Sequence, residues 1–226
     1  MRKFVLLIAT LLTFAGLAHA DYQPKATKVV DKVYAIVGPL GQRSQDNDGL
    51  NANYGFVVTD QGVILIDSGA SRLGAEKLAK AVAQVTPQPV RWVVNTGSQD
   101  HRWLGNAFFA SNGAEIVAMS RTAATQEQFA DQHMQMLRGF LGERLQGTVP
   151  MPAQRLLTGD EVTLELGGET LVLRYTDSHF PGDAWVSLPK RDVVFTGDLV
   201  YVDRILGVLP GPASRTAARL SMPWKR

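Results

Sequence analysis

Val63-Ile64-Leu65-Ile66-Asp67-Ser68-Gly69 is an apolar run without polar alternation that stops abruptly at two polar residues and a glycine. Four branched apolar residues in succession are the pattern of a strand buried on both faces. Upstream, residues 54–59 are rich in β-branched and aromatic side chains, and Asp60-Gln61-Gly62 supplies the turn that makes a hairpin of the two runs. Downstream, Leu73, Leu78, Ala81, Val82 and Val85 fall mostly at helical spacing over residues 72–85, before Pro87 and Pro89. Residues 90–94 then form a second buried strand. Strand, helix, strand in this order predicts a layered α/β architecture with ligand groups gathered in loops at strand ends.

Further out, residues 32–37 and 115–119 read as strands, and residues 122–145 as the longest helix, with Phe129, Met136, Leu137, Phe140 and Leu141 on one stripe. Gly139 and Gly142 weaken its second half. From Glu161 the pattern changes to short strands joined by tight turns, over 162–166, 170–175, 185–188 and 193–196. No internal repeat or low-complexity linker divides the chain, so residues 21–226 are expected to form one domain, two sheets with helices outside.

Arg2 and Lys3 precede an uncharged apolar run from Phe4 to Leu17, which ends in Ala18-His19-Ala20. That is the pattern of a secretory signal peptide over residues 1–20, too short for a bilayer span of roughly 20 residues and followed by no stop-transfer pattern. The expectation is export to the periplasm and a mature chain that starts at Asp21; an uncleaved anchor is the alternative. Removing Arg2 and Lys3 from the 23 basic residues leaves as many as the 21 acidic ones. With no basic patch there is no case for nucleic acid, and the expected partner is a small-molecule substrate. Cysteine is absent, so any metal must be held by His, Asp, Glu or Gln.

Four segments share one theme, polar residues beside glycine at a strand end: Asp67-Ser68-Gly69, the loop 95–106, Asp177-Ser178-His179-Phe180-Pro181-Gly182-Asp183, and Thr196-Gly197-Asp198. In this order they resemble the metallo-β-lactamase superfamily, over nearly the whole mature chain. More narrowly, the pattern is similar to periplasmic zinc-metallohydrolase-like proteins associated with quinoprotein and sulfur-oxidation systems. The resemblance implies an αββα sandwich of two sheets with outer helices, and zinc as cofactor, one ion at most.

The family loop reads Asn-Thr-His-x-His-x-Asp-His-x-x-Gly-Asn; here it is Asn95-Thr96-Gly97-Ser98-Gln99-Asp100-His101-Arg102-Trp103-Leu104-Gly105-Asn106. Aligned without gaps, Gly97 and Gln99 take the first two His positions, His101 the Asp position and Arg102 the last His. Shifted by one residue, Asp100 and His101 stand for the Asp-His pair, while Thr96 and Ser98, both poor zinc ligands, take the two His positions. The resemblance assigns Asp100, His101, His179 and Asp198 as the candidate metal ligands. Asp198 matches a carboxylate that bridges two metals in family members, and Asp67 is expected to support the loop by hydrogen bonds. For Asp100 and His101 a surface hydrogen bond or a helix-start cap is the other reading. His133, inside the long helix beside Gln132 and Gln135, is expected on a solvated face.

No histidine follows His179, and residues 205–226 form an atypical basic tail with Arg215, Arg219, Lys225 and Arg226. The family's closing helix, strand and Gly-His segment are not recognisable there, and the expectation is a truncated version of the fold. Two functions follow from the resemblance. The first is hydrolysis by metal-activated water at a degenerate site, with Asp100 orienting the hydroxide. The second is a metal-free binding module or inactive fragment, in which Arg102 places a positive charge where a cation would sit and favours an anionic small molecule.

Overall fold

The computed structural model describes residues 21–176 and 178–201; the expected signal peptide, Asp177 and the basic tail lie outside the described residues. The first sheet is built from β1 (Ala26–Val30), β2 (Val33–Ile36), β3 (Tyr54–Thr59), β4 (Gly62–Ile66), β5 (Val90–Val94), β6 (Glu115–Met119) and β7 (Arg155–Leu157), hydrogen-bonded in that order. Strands β1 to β4 pair antiparallel, and β4 to β7 pair parallel. Three parallel steps need crossovers, which are supplied by α1 (Arg72–Ala83), by α2 (Asp100–Trp103) with α3 (Asn106–Ser111), and by α4 (Ser120–Leu141). The second sheet, β8 (Glu161–Leu166), β9 (Glu169–Tyr175), β10 (Ala184–Leu188) and β11 (Val193–Phe195), is an antiparallel meander.

The predicted run 63–66 is the centre of the molecule, fully buried on both faces. Val63 and Leu65 pack with Phe56, Leu78 and Phe109 under the helices. Ile64 and Ile66 point the other way, into a layer with Val57, Val117, Leu171, Leu173 and Val186 between the sheets. Burying each such side chain contributes about 1.5–3 kcal/mol. Two apolar layers therefore sandwich the first sheet, which is why β4 shows no polar alternation. Strand β8 does alternate, with Leu164 and Leu166 buried and Thr163 and Glu165 exposed. Helices α3 and α4 accordingly pack on strands β5, β6 and β7 of the first sheet.

Ser71 caps α1 by accepting the Gly74 N–H at 2.9 Å. The long helix is shorter than the predicted 122–145: Gly142 adopts φ +54, and a 3-10 turn, Gly142–Leu145, follows. Leu137, Leu141 and Leu145 continue the buried stripe across this break, against Trp103 and Leu104. Strands β1 and β7 and helices α2 and α3 escaped the sequence reading, each being short or exposed. Among the described residues, no helix is long and apolar enough to cross a membrane.

Candidate functional site

Strands β4 and β5 end side by side, and their loops meet the segments before β10 and after β11. Asp67, at the end of β4, holds φ +63, a left-handed conformation that Asp tolerates better than most residues. Its carboxylate fixes the neighbouring loop by accepting the Thr96 N–H at 2.7 Å and the Thr96 hydroxyl at 2.6 Å. Asn95 and Asn106 bracket that loop: Asn106 Nδ2 donates to Asn95 Oδ1 at 2.8 Å, while Ser68 Oγ donates to Asn106 Oδ1 at 2.8 Å. Gln126 of α4 adds bonds to Asn95 Oδ1 and the Gly97 carbonyl. The segment 178–183 is tied on by Ser98 Oγ to the Pro181 carbonyl at 2.5 Å and Thr122 Oγ1 to the Gly182 carbonyl at 2.6 Å.

Within this frame Arg102 lies 4 % exposed between two carboxylates. Its guanidinium donates to Asp67 Oδ2 at 3.0 Å, to Asp198 Oδ2 at 3.2 Å and to Asp198 Oδ1 in a shorter contact. Asp198 sits on the 3-10 turn Gly197–Leu199, where Gly197 has φ +57 and a Cβ would lie 2.8 Å from Thr96 Oγ1, so glycine is what lets the turn approach the loop. His101 Nε2 stands 2.8 Å from Asp198 Oδ2, and its Nδ1 is 3.2 Å from Asp100 Oδ1. Arg43, from the β2–β3 connection, reaches both Asp100 Oδ1 and His101 Nδ1. Nδ1 cannot donate to Asp100 and accept from Arg43 at once; with a carboxylate on each side of the ring, the imidazolium that donates from both nitrogens is the better match.

The electrostatics follow from these contacts. Burial alone would raise the Asp198 carboxyl, but Arg102 and His101 hold it well below the usual range. Asp100 is likewise lowered, burial being outweighed by His101 and Arg43. Burial opposes the charge on His101, yet Asp198 and Asp100 raise its pKa. Burial pushes the Asp67 carboxyl up, against the pull of Arg102 and Thr96, which lower it. Three carboxylates, Asp67, Asp100 and Asp198, thus face three protein cations, Arg43, Arg102 and His101. Acidic and basic groups are matched one for one among these contacts.

Of the four residues assigned as ligands, the structure brings together Asp100, His101 and Asp198. His179 is 5 % exposed, with Nε2 3.2 Å from the Tyr201 hydroxyl. Among the described residues no group of three or more His, Asp or Glu converges as a metal site. Asp100 and His101 are buried, at 1 % and 7 % exposed, rather than surface partners, and Asp100 opens α2 without capping it. Two expectations need correction, and Asp183 and Arg43 were missed. Arg102 is not an open cation awaiting an anion, because the carboxylates of buried Asp67 and partly buried Asp198 already pair with it. His133 is not on a solvated face: it is 7 % exposed, packed beside Phe129 and Phe180. Asp183, not singled out from sequence, is buried beside Gly97, and burial with the nearby Asp198 charge pushes its carboxyl up to about 7. Arg43 gave no sequence signal at all, since it lies in an irregular loop and finds its partners only through the fold.

A cavity of about 330 Å³ opens over this cluster, lined by Asn53, Arg102, Asp198, Val200 and Tyr201. Another of about 660 Å³ lies on its α4 side, between Asp100 and His133. A third, of about 630 Å³ beside Arg91 and Trp92, is at the amino ends of the parallel strands, away from the carboxyl ends where α/β folds place ligands.

Comparison with known proteins agrees with this topology. The family described as Metallo-beta-lactamase superfamily matches residues 47–222. A metallo-beta-lactamase from Pontibacter korlensis superposes with a TM-score of 0.61 at 21 % identity, covering 81 % of this chain and 75 % of that one. The metallo-beta-lactamase FIM-1 from Pseudomonas aeruginosa, in its mono-zinc form, gives a TM-score of 0.64 at 17 % identity, covering 89 % and 82 %. A metallo-beta-lactamase from Hirschia baltica gives 0.55 at 16 % identity, covering 77 % and 71 %. No curated protein matches the chain.

Proposed function

The chain belongs to the metallo-beta-lactamase superfamily, whose fold serves metal-dependent hydrolysis, and we propose that this member is a periplasmic, non-hydrolytic small-molecule-binding protein. The observation that carries this reading is Arg102, a guanidinium buried between Asp67 and Asp198 at an aligned ligand position. Zinc asks for three or four converging donors with free lone pairs, at about 2.0–2.2 Å for nitrogen and oxygen. Both Asp198 oxygens are already taken by Arg102 and His101. Gly97 and Gln99 supply no imidazole, and the cluster needs no further positive charge. The residues present therefore do not fit the ion. Export rests on the signal pattern of residues 1–20.

Assaying the purified chain with added zinc against ester, thioester, lactone and β-lactam substrates tests the proposal. The expected result is no turnover above buffer; zinc-dependent turnover on any of them would overturn it. One observation favours a second reading, a single-ion hydrolase using Asp100, His101, His179 and Asp198: Asp100 Oδ2 is buried with no hydrogen-bond partner. That reading requires turnover which disappears in both His179→Ala and Asp198→Ala.

A further inference from the structure

The larger cavity beside the cluster has features of a built binding site. At about 660 Å³ it lies between the start of α2 and the middle of α4, closed by Phe180 and by Arg43. Four of its lining residues each hold a buried polar atom with no hydrogen-bond partner: Asp100 Oδ2, Gln99 Oε1, His133 Nδ1 and Arg43 Nε. Asp100 and His133 are themselves only 1 % and 7 % exposed. Leaving a buried polar group unsatisfied is costly, and four around one cavity mark a place where partners are supplied from outside the chain.

The atoms specify what those partners are. Asp100 Oδ2 and Gln99 Oε1 only accept; Arg43 Nε only donates. A primary carboxamide is the complement, its two N–H groups facing the acceptors and its carbonyl facing Arg43. The charge balance of Asp67, Asp100 and Asp198 against Arg43, Arg102 and His101 argues for an uncharged head group. The opposite wall is aromatic: Phe129 and Phe180 meet edge to face at 5.3 Å, with the His133 ring about equally close to both, at 6.0 and 6.1 Å. Such a wall takes a flat ring. Met136, 41 % exposed, adds an adaptable apolar residue at the edge.

We infer that this cleft binds an uncharged ring-bearing carboxamide, held by Asp100, Gln99 and Arg43 at its head and by Phe129, His133 and Phe180 at its ring. Gln99 and Arg43 are only partly buried and line the cleft. This site deepens the binding function proposed above and rests on it.

Benzamide is the probe, titrated calorimetrically into the full chain with and without zinc, beside benzoate, benzylamine and acetamide. The expected result is saturable one-to-one binding of benzamide, with each of the three controls weaker by at least about tenfold, the worth of one well-made contact. Gln99→Leu and Phe129→Leu, both at partly buried positions, are expected to weaken benzamide by at least about tenfold while the circular dichroism spectrum and melting temperature are maintained. A purely structural role would not separate binding from stability in this way. No benzamide binding by a folded, non-hydrolytic chain overturns this site alone, as does binding that neither variant changes. Zinc-dependent turnover overturns the non-hydrolytic reading itself, whatever benzamide does.

Discussion

Arg102 and Asp198 lie side by side in the buried centre of the loop cluster, the guanidinium donating to both carboxylate oxygens. The two residues are 96 positions apart in sequence, and the fold brings them to one point. A guanidinium supplies the charge of a cation together with fixed donors, which organises carboxylates without requiring imidazole ligands.

Removal of Arg102 leaves Asp67 and Asp198 buried without their partner. Arg102→Ala is expected to destabilise the chain by about 3–5 kcal/mol, the cost of breaking a buried pair on one side. Replacing the pair together, as Arg102→Met with Asp198→Leu, is expected to recover part of the loss. Denaturant unfolding of the two variants checks this; an Arg102→Ala midpoint equal to the parent's would contradict the buried ion-pair cluster.

Asp183 gives a pH signature. Its carboxyl is raised to about 7 by burial, with the Asp198 charge adding to the effect, whereas in the unfolded chain it titrates near ~3.9. The folded state therefore binds the proton more tightly. The stability this confers is complete below the unfolded value and is lost as pH rises through about 7, by up to about 4 kcal/mol. His101, also raised, acts in the same direction. Asp183→Asn is expected to flatten the fall in melting temperature between about pH 5 and 8.

Acid stability depends on a different carboxylate. Asp48 is buried and accepts from Arg144 Nε at 2.5 Å, with Lys77 Nζ 2.8 Å away. Burial would raise it, but Arg144 and Lys77 together lower its pKa. Stability from this group is present above the unfolded value and lost as pH falls through the folded one. Asp48→Asn is expected to cost about 2–4 kcal/mol at neutral pH, most of it through Lys77, since Arg144 is 38 % exposed and screened. Melting curves of parent and variant should converge as the pH falls below the ordinary carboxylate range.

Putting the family ligands back is expected to change the chemistry. With Gly97→His, Gln99→His and Arg102→His combined, three imidazoles enter beside Asp198 and the competing guanidinium leaves. The variant should carry bound zinc after exposure and dialysis, measured by elemental analysis. A Cβ at position 97 would sit 3.0 Å from Asp183 Oδ1, so Asp183 must shift, and the gain is expected to be larger when Asp183→Ala is added.

Much of this was legible in the sequence. The apolar run 63–66 announced a doubly buried strand, and the structure shows a layer on each side of it. The motif ends Asp67-Ser68-Gly69 and Thr196-Gly197-Asp198 marked the site because strand ends and glycines are visible locally. Arg43 was not legible: nothing in an irregular loop indicates that its guanidinium will meet Asp100. His133 misled for the same reason. Glutamines beside it suggested solvent, while its burial comes from Phe180, remote in sequence and contributed by the segment before β10.

The most direct test of the Arg102-centred account is a calorimetric zinc titration of the purified chain at neutral pH. The account predicts no saturable zinc binding, because Arg102 and His101 already occupy Asp198 and no charge remains to be balanced. One-to-one zinc binding that is lost in Asp198→Ala would contradict it, and would return the chain to the metal-dependent hydrolases whose fold it shares.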